Sequence, residues 1–233
     1  DNSTYPTTAG AFDRTHGGGG GDAYVSRLDF TRTGTSQLIY STFVGAGRYE
    51  RSLCMSAHGN GVVIAGTTTS SLFPTTTGAY STAFNGGSGD AFVTHLDLLP
   101  TGVTAFGTSS PGCAGPVWIG VTSLPSRGNG AFSITSVNAP ANALGAMFLS
   151  TGSLPVPAQI LRVNLWVDLG APSFALPVTS NAKGAAEFVV PIPATTPVGV
   201  TLAAQYLWSG PSSPPPCPTL GLSASNGLNF TIQ

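Results

Sequence analysis

The chain has 233 residues and a net charge of −1, and only 7% of its residues are charged. Its few cations are scattered, which excludes a basic nucleic-acid-binding face or attraction to an anionic membrane surface, and no apolar run reaches the roughly 18 residues of a membrane span. Apolar residues make up 41%, and Gly (31) and Pro (19) are abundant, which is the composition of a turn-rich, core-forming β protein and not of a disordered chain.

Residues 1–21 are linker-like, rich in Thr, Ala and Gly, and end in the run Gly17–Gly21. The abrupt start without a signal peptide reads as a processed or truncated form that is expected to lack a preceding strand. Apolar and polar residues then alternate over strands expected at 22–29, 37–44, 50–57 and 61–67, with Arg32-Thr33-Gly34 and His58-Gly59-Asn60-Gly61 as turns. An internal repeat follows. Tyr5-Pro6-Thr7-Thr8-Ala9-Gly10-Ala11-Phe12 is answered by Phe73-Pro74-Thr75-Thr76-Thr77-Gly78-Ala79-Tyr80, and Gly21-Asp22-Ala23-Tyr24-Val25 by Gly89-Asp90-Ala91-Phe92-Val93. The offset is a constant 68 residues (Tyr5 to Phe73, Asp22 to Asp90), so the two stretches are copies of one structural unit. The second copy yields one more strand, 90–97, and stops at Pro100.

From Thr101 the character changes. Short β-like segments at 117–122, 131–137, 146–149, 159–169, 185–191, 198–208 and 227–232 are separated by Pro, Gly, Asn and Ser. Such spacing predicts a single antiparallel β-sandwich, Ig-like or jelly-roll-like, over 101–233. Residues 159–169 read as one alternating strand.

The order of motifs in residues 1–98 resembles the bacterial β-propeller repeat often called SBBP: the FPTTxGAY pattern, a Gly-rich gap, DAFVxxLD, Leu38-Ile39-Tyr40-Ser41-Thr42, Gly59-Asn60-Gly61 and Gly66-Thr67-Thr68. The resemblance implies four-stranded blades, an extracellular location and no catalytic machinery. The expected fold is therefore all-β: an incomplete propeller-like region over 1–100, one full blade and part of a second, followed by the sandwich. The second region resembles a C-terminal module of secreted environmental bacterial proteins, through Gly112-Cys113, the segment from Gly199 to Gln205, and Ser225-Asn226-Gly227-Leu228. In a secreted protein, Cys113 and Cys217 at the two ends of this region are expected to form a disulfide. Cys54, in Leu53-Cys54-Met55, reads as a buried free thiol, with an intermolecular bridge as the alternative.

Candidate chemistry is sparse. His16, His58 and His95 show no metal-ligand spacing, no CxxC pair exists and no GxSxG elbow exists. No catalytic residue, metal or cofactor is expected. Asp22/Asp90 and Asp29/Asp97 recur with the repeat and are expected to serve it structurally, an Asp after a Gly-rich loop by accepting backbone N–H bonds at a strand start. Trp118, Trp166 and Trp208 read as core residues, with a sugar platform as the alternative. Asn2 and Asn229 head glycosylation sequons.

One blade and a fraction of another leave sheet edges without partners, and such edges are templates for a further chain. The expectation is a non-enzymatic extracellular or cell-surface structural protein, a subunit of a filament or appendage that polymerises head to tail with itself. Its arm, residues 1–21, would be ordered by a neighbour, with Tyr5, Phe12, Phe73 and Tyr80 as assembly contacts. The alternative is an adhesin or carbohydrate-binding module that holds glycans or a cell-surface partner.

Overall fold

A computed structural model of the chain describes residues 4–211 and 216–233. They form an all-β structure of antiparallel sheets with one 3-10 turn, Gly34–Gln37. The chain divides into two compact units, Asp1–Thr101 and Gly102–Gln233.

The first unit holds five strands: β1 (Ala23–Leu28), β2 (Leu38–Val44), β3 (Glu50–His58), β4 (Gly61–Thr68) and β5 (Asp90–Asp97). The expected single blade of 22–29, 37–44, 50–57 and 61–67 is not one sheet. β1 and β2 form a hairpin of their own, and the second sheet has the order β3-β4-β5. The division falls at Gly45, where a Cβ would lie 2.6 Å from Glu50 Oε2. The chain turns tightly there, and the buried Glu50 carboxylate fixes the turn by accepting the Ala46 N–H (3.0 Å) and the Thr68 hydroxyl (2.7 Å). The strand of the second repeat copy, β5, then takes the edge of β4. Ala23, Val25, Tyr40 and Val44 of the hairpin share one core with Val62, Ile64, Phe92 and Leu96 of the sheet, which is the main apolar stabilisation of this unit.

β3 is an edge strand exposed on both faces from Arg51 onward. Met55 lies opposite Ile64 in the register, yet Met55 is 62% exposed and Ile64 is buried. Cys54 is therefore an exposed free thiol, not a buried one. Its strand alternates like a covered one, but no described residue covers either face.

The second unit contains β6 (Val103–Phe106), β7 (Trp118–Val121), β8 (Ser133–Val137), β9 (Leu144–Ser150), β10 (Ser153–Ile160), β11 (Val163–Val167), β12 (Ser173–Thr179), β13 (Ala186–Val189), β14 (Thr201–Ser209), β15 (Leu222–Ala224) and β16 (Gly227–Thr231). Its central sheet runs β12-β9-β14-β16-β6, with β15 also on β14. Along β14, Ala204, Tyr206 and Trp208 face the sheet β13-β8-β7: the Tyr206 hydroxyl donates to the Ile134 carbonyl (2.8 Å) and the Trp208 indole N–H to Ser136 Oγ (3.2 Å). On the other face, Ala203 packs with Leu165 and Val167 of β11.

The stretch 159–169 is not one strand. It is the end of the β10–β11 hairpin, turned at Leu161 (φ 48°) and Arg162 (φ 66°). Two consecutive left-handed residues suit the twist of a two-residue hairpin, a place where Asn-Gly is the usual signal. β10 and β12 were hidden by Pro155, Pro157 and Pro177. Pro cannot donate to a ladder, and these strands tolerate it because β12 is an edge and the β10–β11 register breaks between Ser153 and Ala158.

Candidate functional site

The arm that precedes β1 is held by its own chain. Thr8 N–H donates to the Ser41 carbonyl (3.0 Å) and Ser41 N–H to Thr8 Oγ1 (3.0 Å). Phe12 N–H donates to the Tyr40 hydroxyl (3.0 Å), Asp13 N–H to Thr42 Oγ1 (2.8 Å), and Phe43 N–H to the Asp13 carbonyl (2.9 Å). The backbone of Ser41 and Phe43 thus points to the arm, while alternate residues of β2 face β1. β2 is clamped on both edges. This corrects the expectation that a neighbour orders the arm: the hydrogen bonds of β2's outer edge are what order it. Tyr5 packs against Tyr24 with its ring tilted (ring centroids 4.0 Å apart) and bonds Ser26, while Phe12 is exposed.

The second arm has the same shape. Gly10, Gly18, Gly19 and Gly21 have φ of 73°, 95°, 74° and 142°, and their repeats Gly78, Gly86, Gly87 and Gly89 have 83°, 87°, 77° and 149°. The turn bond from Ala11 N–H to the Thr8 carbonyl returns as Ala79 to Thr76. Asp22 accepts the Gly17 N–H (2.7 Å), and Asp90 accepts the Asn85 N–H (2.6 Å). Phe73 stacks on Phe92 (4.4 Å), at the positions where Tyr5 packs against Tyr24. What differs is the strand between arm and β strand. β5 and residues 70–85 line a groove of about 470 Å³, and Thr75 to Ala83 are exposed, Tyr80 fully.

Backbone parity shows which edge of β5 faces this groove. Leu98 N–H donates to Asn60, so the even residues of β5 point to β4; Asp29 N–H donates to Gln37, so the odd residues of β1 point to β2. Under the 68-residue offset, Ala91, Val93, His95 and Asp97 of β5 are the repeats of Ala23, Val25, Arg27 and Asp29. They form the same edge at which β1 takes β2; Ala91 and Val93 of it line the groove, and no described strand pairs with it.

The side-chain faces show the same relation. Ala23 and Val25 are buried, but their repeats Ala91 and Val93 are exposed, Val93 at 75%. Phe92 and Leu96 are buried, but their repeats Tyr24 and Leu28 are exposed at 47% and 48%.

The other candidates fall into place separately. Cys113 and Cys217 are disulfide-bonded. Among the described residues no three of His, Cys, Asp and Glu gather as a metal site. His58 and His95 meet edge to face (5.7 Å), and His16 meets Phe43. Asp29 accepts the Thr31 hydroxyl and N–H and the Arg32 guanidinium, which hold its carboxyl below the usual range. Trp208 is buried; Trp118 and Trp166 are half-buried, and Trp166 lies over Gly107 with its indole N–H donating to the Thr108 carbonyl. Asn229 sits in β16 between β14 and β6 and donates to Ser153, while Asn2 lies outside the described residues. No described helix is long and apolar enough to cross a membrane.

No family model matches the chain, and neither a curated protein nor a solved structure matches it.

Proposed function

We propose that this chain is a non-enzymatic extracellular structural protein whose copies assemble head to tail into a surface filament or appendage. One observation carries the reading. The interface inside the first unit has two sides, the Ala23/Val25 face of the hairpin and the Phe92/Leu96 face of the sheet. Each side is presented again, exposed, by the other repeat copy: Ala91/Val93 on β5 and Tyr24/Leu28 on β1. A second molecule can thus place its Tyr24/Leu28 face on the Ala91/Val93 face of the first and keep its own Ala91/Val93 face open. A contact between two different patches that does not close generates a fibre.

The uncovered apolar side chains on β3, Leu53 and Met55, and the low charge of the chain favour association over solubility. In this proposal residues 1–100 are an incomplete run of SBBP-type propeller repeats and residues 101–233 a sandwich braced by its disulfide, which suits an oxidising environment. Electron microscopy and sedimentation of the purified chain test it. Ordered fibres are expected. Monodisperse particles at high concentration would refute it and favour an adhesin.

A further inference from the structure

We propose that the groove between β5 and residues 70–85 is an acceptor site for one extended peptide segment with the chemistry of Leu38–Val44, supplied by a partner polypeptide. The proposal goes beyond the assembly reading, which brings only further copies of this chain together; it rests on the sister site in the same molecule.

The sister site shows what the groove is shaped for. There, β2 is gripped between β1 and the first arm, with Ala23↔Val44, Val25↔Thr42 and Arg27↔Tyr40 in register. The second arm carries the same glycine conformations, the same turn bond and the same Asp clamp without such a strand beside it. A site already held in its binding shape binds without the cost of ordering itself. The unpaired backbone of Ala91, Val93, His95 and Asp97 supplies the ladder on one side, as in strand addition to a sheet edge. On the other side, Thr76, Tyr80 and Ser81 are the repeats of Thr8, Phe12 and Asp13. Their N–H groups stand ready for the carbonyl of a Ser at the Ser41 position, the hydroxyl of a Tyr at the Tyr40 position and the hydroxyl of a Thr at the Thr42 position, the acceptors that Thr8, Phe12 and Asp13 use. The ligand is therefore an extended segment of pattern Leu-x-Tyr-Ser-Thr, antiparallel to β5, with its Ser opposite Thr94, since Ser41 lies opposite Ser26 and bonds it (2.8 Å).

A second copy of this chain is the weaker occupant. Its Leu38–Val44 is already bonded along both edges, so moving it into the groove opens an identical site elsewhere and leaves the number of pairings unchanged. A segment from another repeat-bearing polypeptide adds a strand outright.

The test uses the full chain carrying Cys54→Ser and a labelled peptide of residues Gln37–Gly45. Saturable binding is expected in fluorescence anisotropy, with no binding of a scrambled peptide and about three- to tenfold weaker binding of a peptide with Tyr40→Phe, the value of one hydrogen bond. With Thr94→Cys in the chain and oxidised glutathione as the oxidant, a peptide carrying Ser41→Cys should form a disulfide, and one carrying Thr42→Cys should not, because a one-residue shift turns the side chain to the other face. Equal binding of the scrambled peptide, no saturable binding, or cross-linking without register preference would overturn the proposal. So would a disulfide between two copies of a chain carrying both Ser41→Cys and Thr94→Cys without peptide, since that places a second copy in the groove. Peptide uptake by a chain that stays monomeric would sink the head-to-tail filament and leave this site standing; fibres that take up no peptide would do the reverse.

Discussion

Val25 and Val93 are the same residue of one repeat in opposite environments: Val25 is 4% exposed in the core between hairpin and sheet, and Val93 is 75% exposed on the far face of β5. Position in the repeat fixes what each side chain is suited to touch, and only one of them touches it within the chain. Val25→Ala should cost the first unit roughly 1–3 kcal/mol, as a large-to-small core change does. Val93→Ala should leave the monomer within about 0.5 kcal/mol of the parent. Denaturant unfolding of the two variants checks this, and equal losses would mean that Val93 is already covered.

The Cys113–Cys217 bridge closes a loop with a sequence separation of 104 residues. Its loss should cost the second unit about 2–5 kcal/mol, mainly by freeing the unfolded chain. The first unit, which holds only the free thiol of Cys54, should unfold at an unchanged denaturant concentration. Unfolding curves of Cys113→Ser/Cys217→Ser against the parent separate the two effects; equal shifts in both units would contradict the assignment.

Gln205 is fully buried on β14. Its side-chain oxygen accepts the Trp166 N–H (2.7 Å), and its amide donates to the carbonyls of Asn164 and Ser225 (2.8 Å each). It stands in for a strand neighbour and joins β11 to the central sheet. Gln205→Leu keeps the volume and strips all three bonds, so it should destabilise the second unit by on the order of 2–4 kcal/mol. Faster amide exchange at Trp166 should accompany the loss; an unchanged exchange rate there would count against this role.

Tyr40 and Tyr206 have phenols pushed above the ordinary value of 10.0, in both cases chiefly by burial; the Glu187 carboxylate adds to it at Tyr206, and the Phe12 N–H partly offsets it at Tyr40. Their folded values exceed the unfolded one. The stability they contribute is therefore fully present below about pH 10 and lost as the pH rises beyond it. In an ultraviolet absorbance titration, two of the six tyrosines should ionise only as the chain unfolds. Ionisation of all six near pH 10 with the fold intact would refute this.

Much of the all-β character was legible in the sequence, because alternation is a local signal and Gly59-Asn60-Gly61 marks a turn directly. How strands share sheets was not. The hairpin and the β3-β4-β5 sheet divide at Gly45, where the cause is a close approach of Asp22 and Glu50 that no periodicity encodes. The β10–β11 turn was invisible because Leu161 and Arg162 hold left-handed backbone without the usual residues. The candidate site was half legible. The repeat named Tyr5, Phe12, Phe73 and Tyr80, but the further groove residues Thr76, Ser81, Ala91 and Val93 emerge only when the two arms are compared in space.

The head-to-tail account is tested most directly by mixing two capped variants. Tyr24→Lys spoils one face and leaves the Ala91/Val93 face intact; Val93→Lys does the converse. In sedimentation velocity the parent chain should form open-ended polymers, each variant alone should be a monomer, and an equimolar mixture should give a discrete heterodimer through the one remaining complementary pair of faces. A parent that stays monomeric, or variants that polymerise as the parent does, would contradict the account.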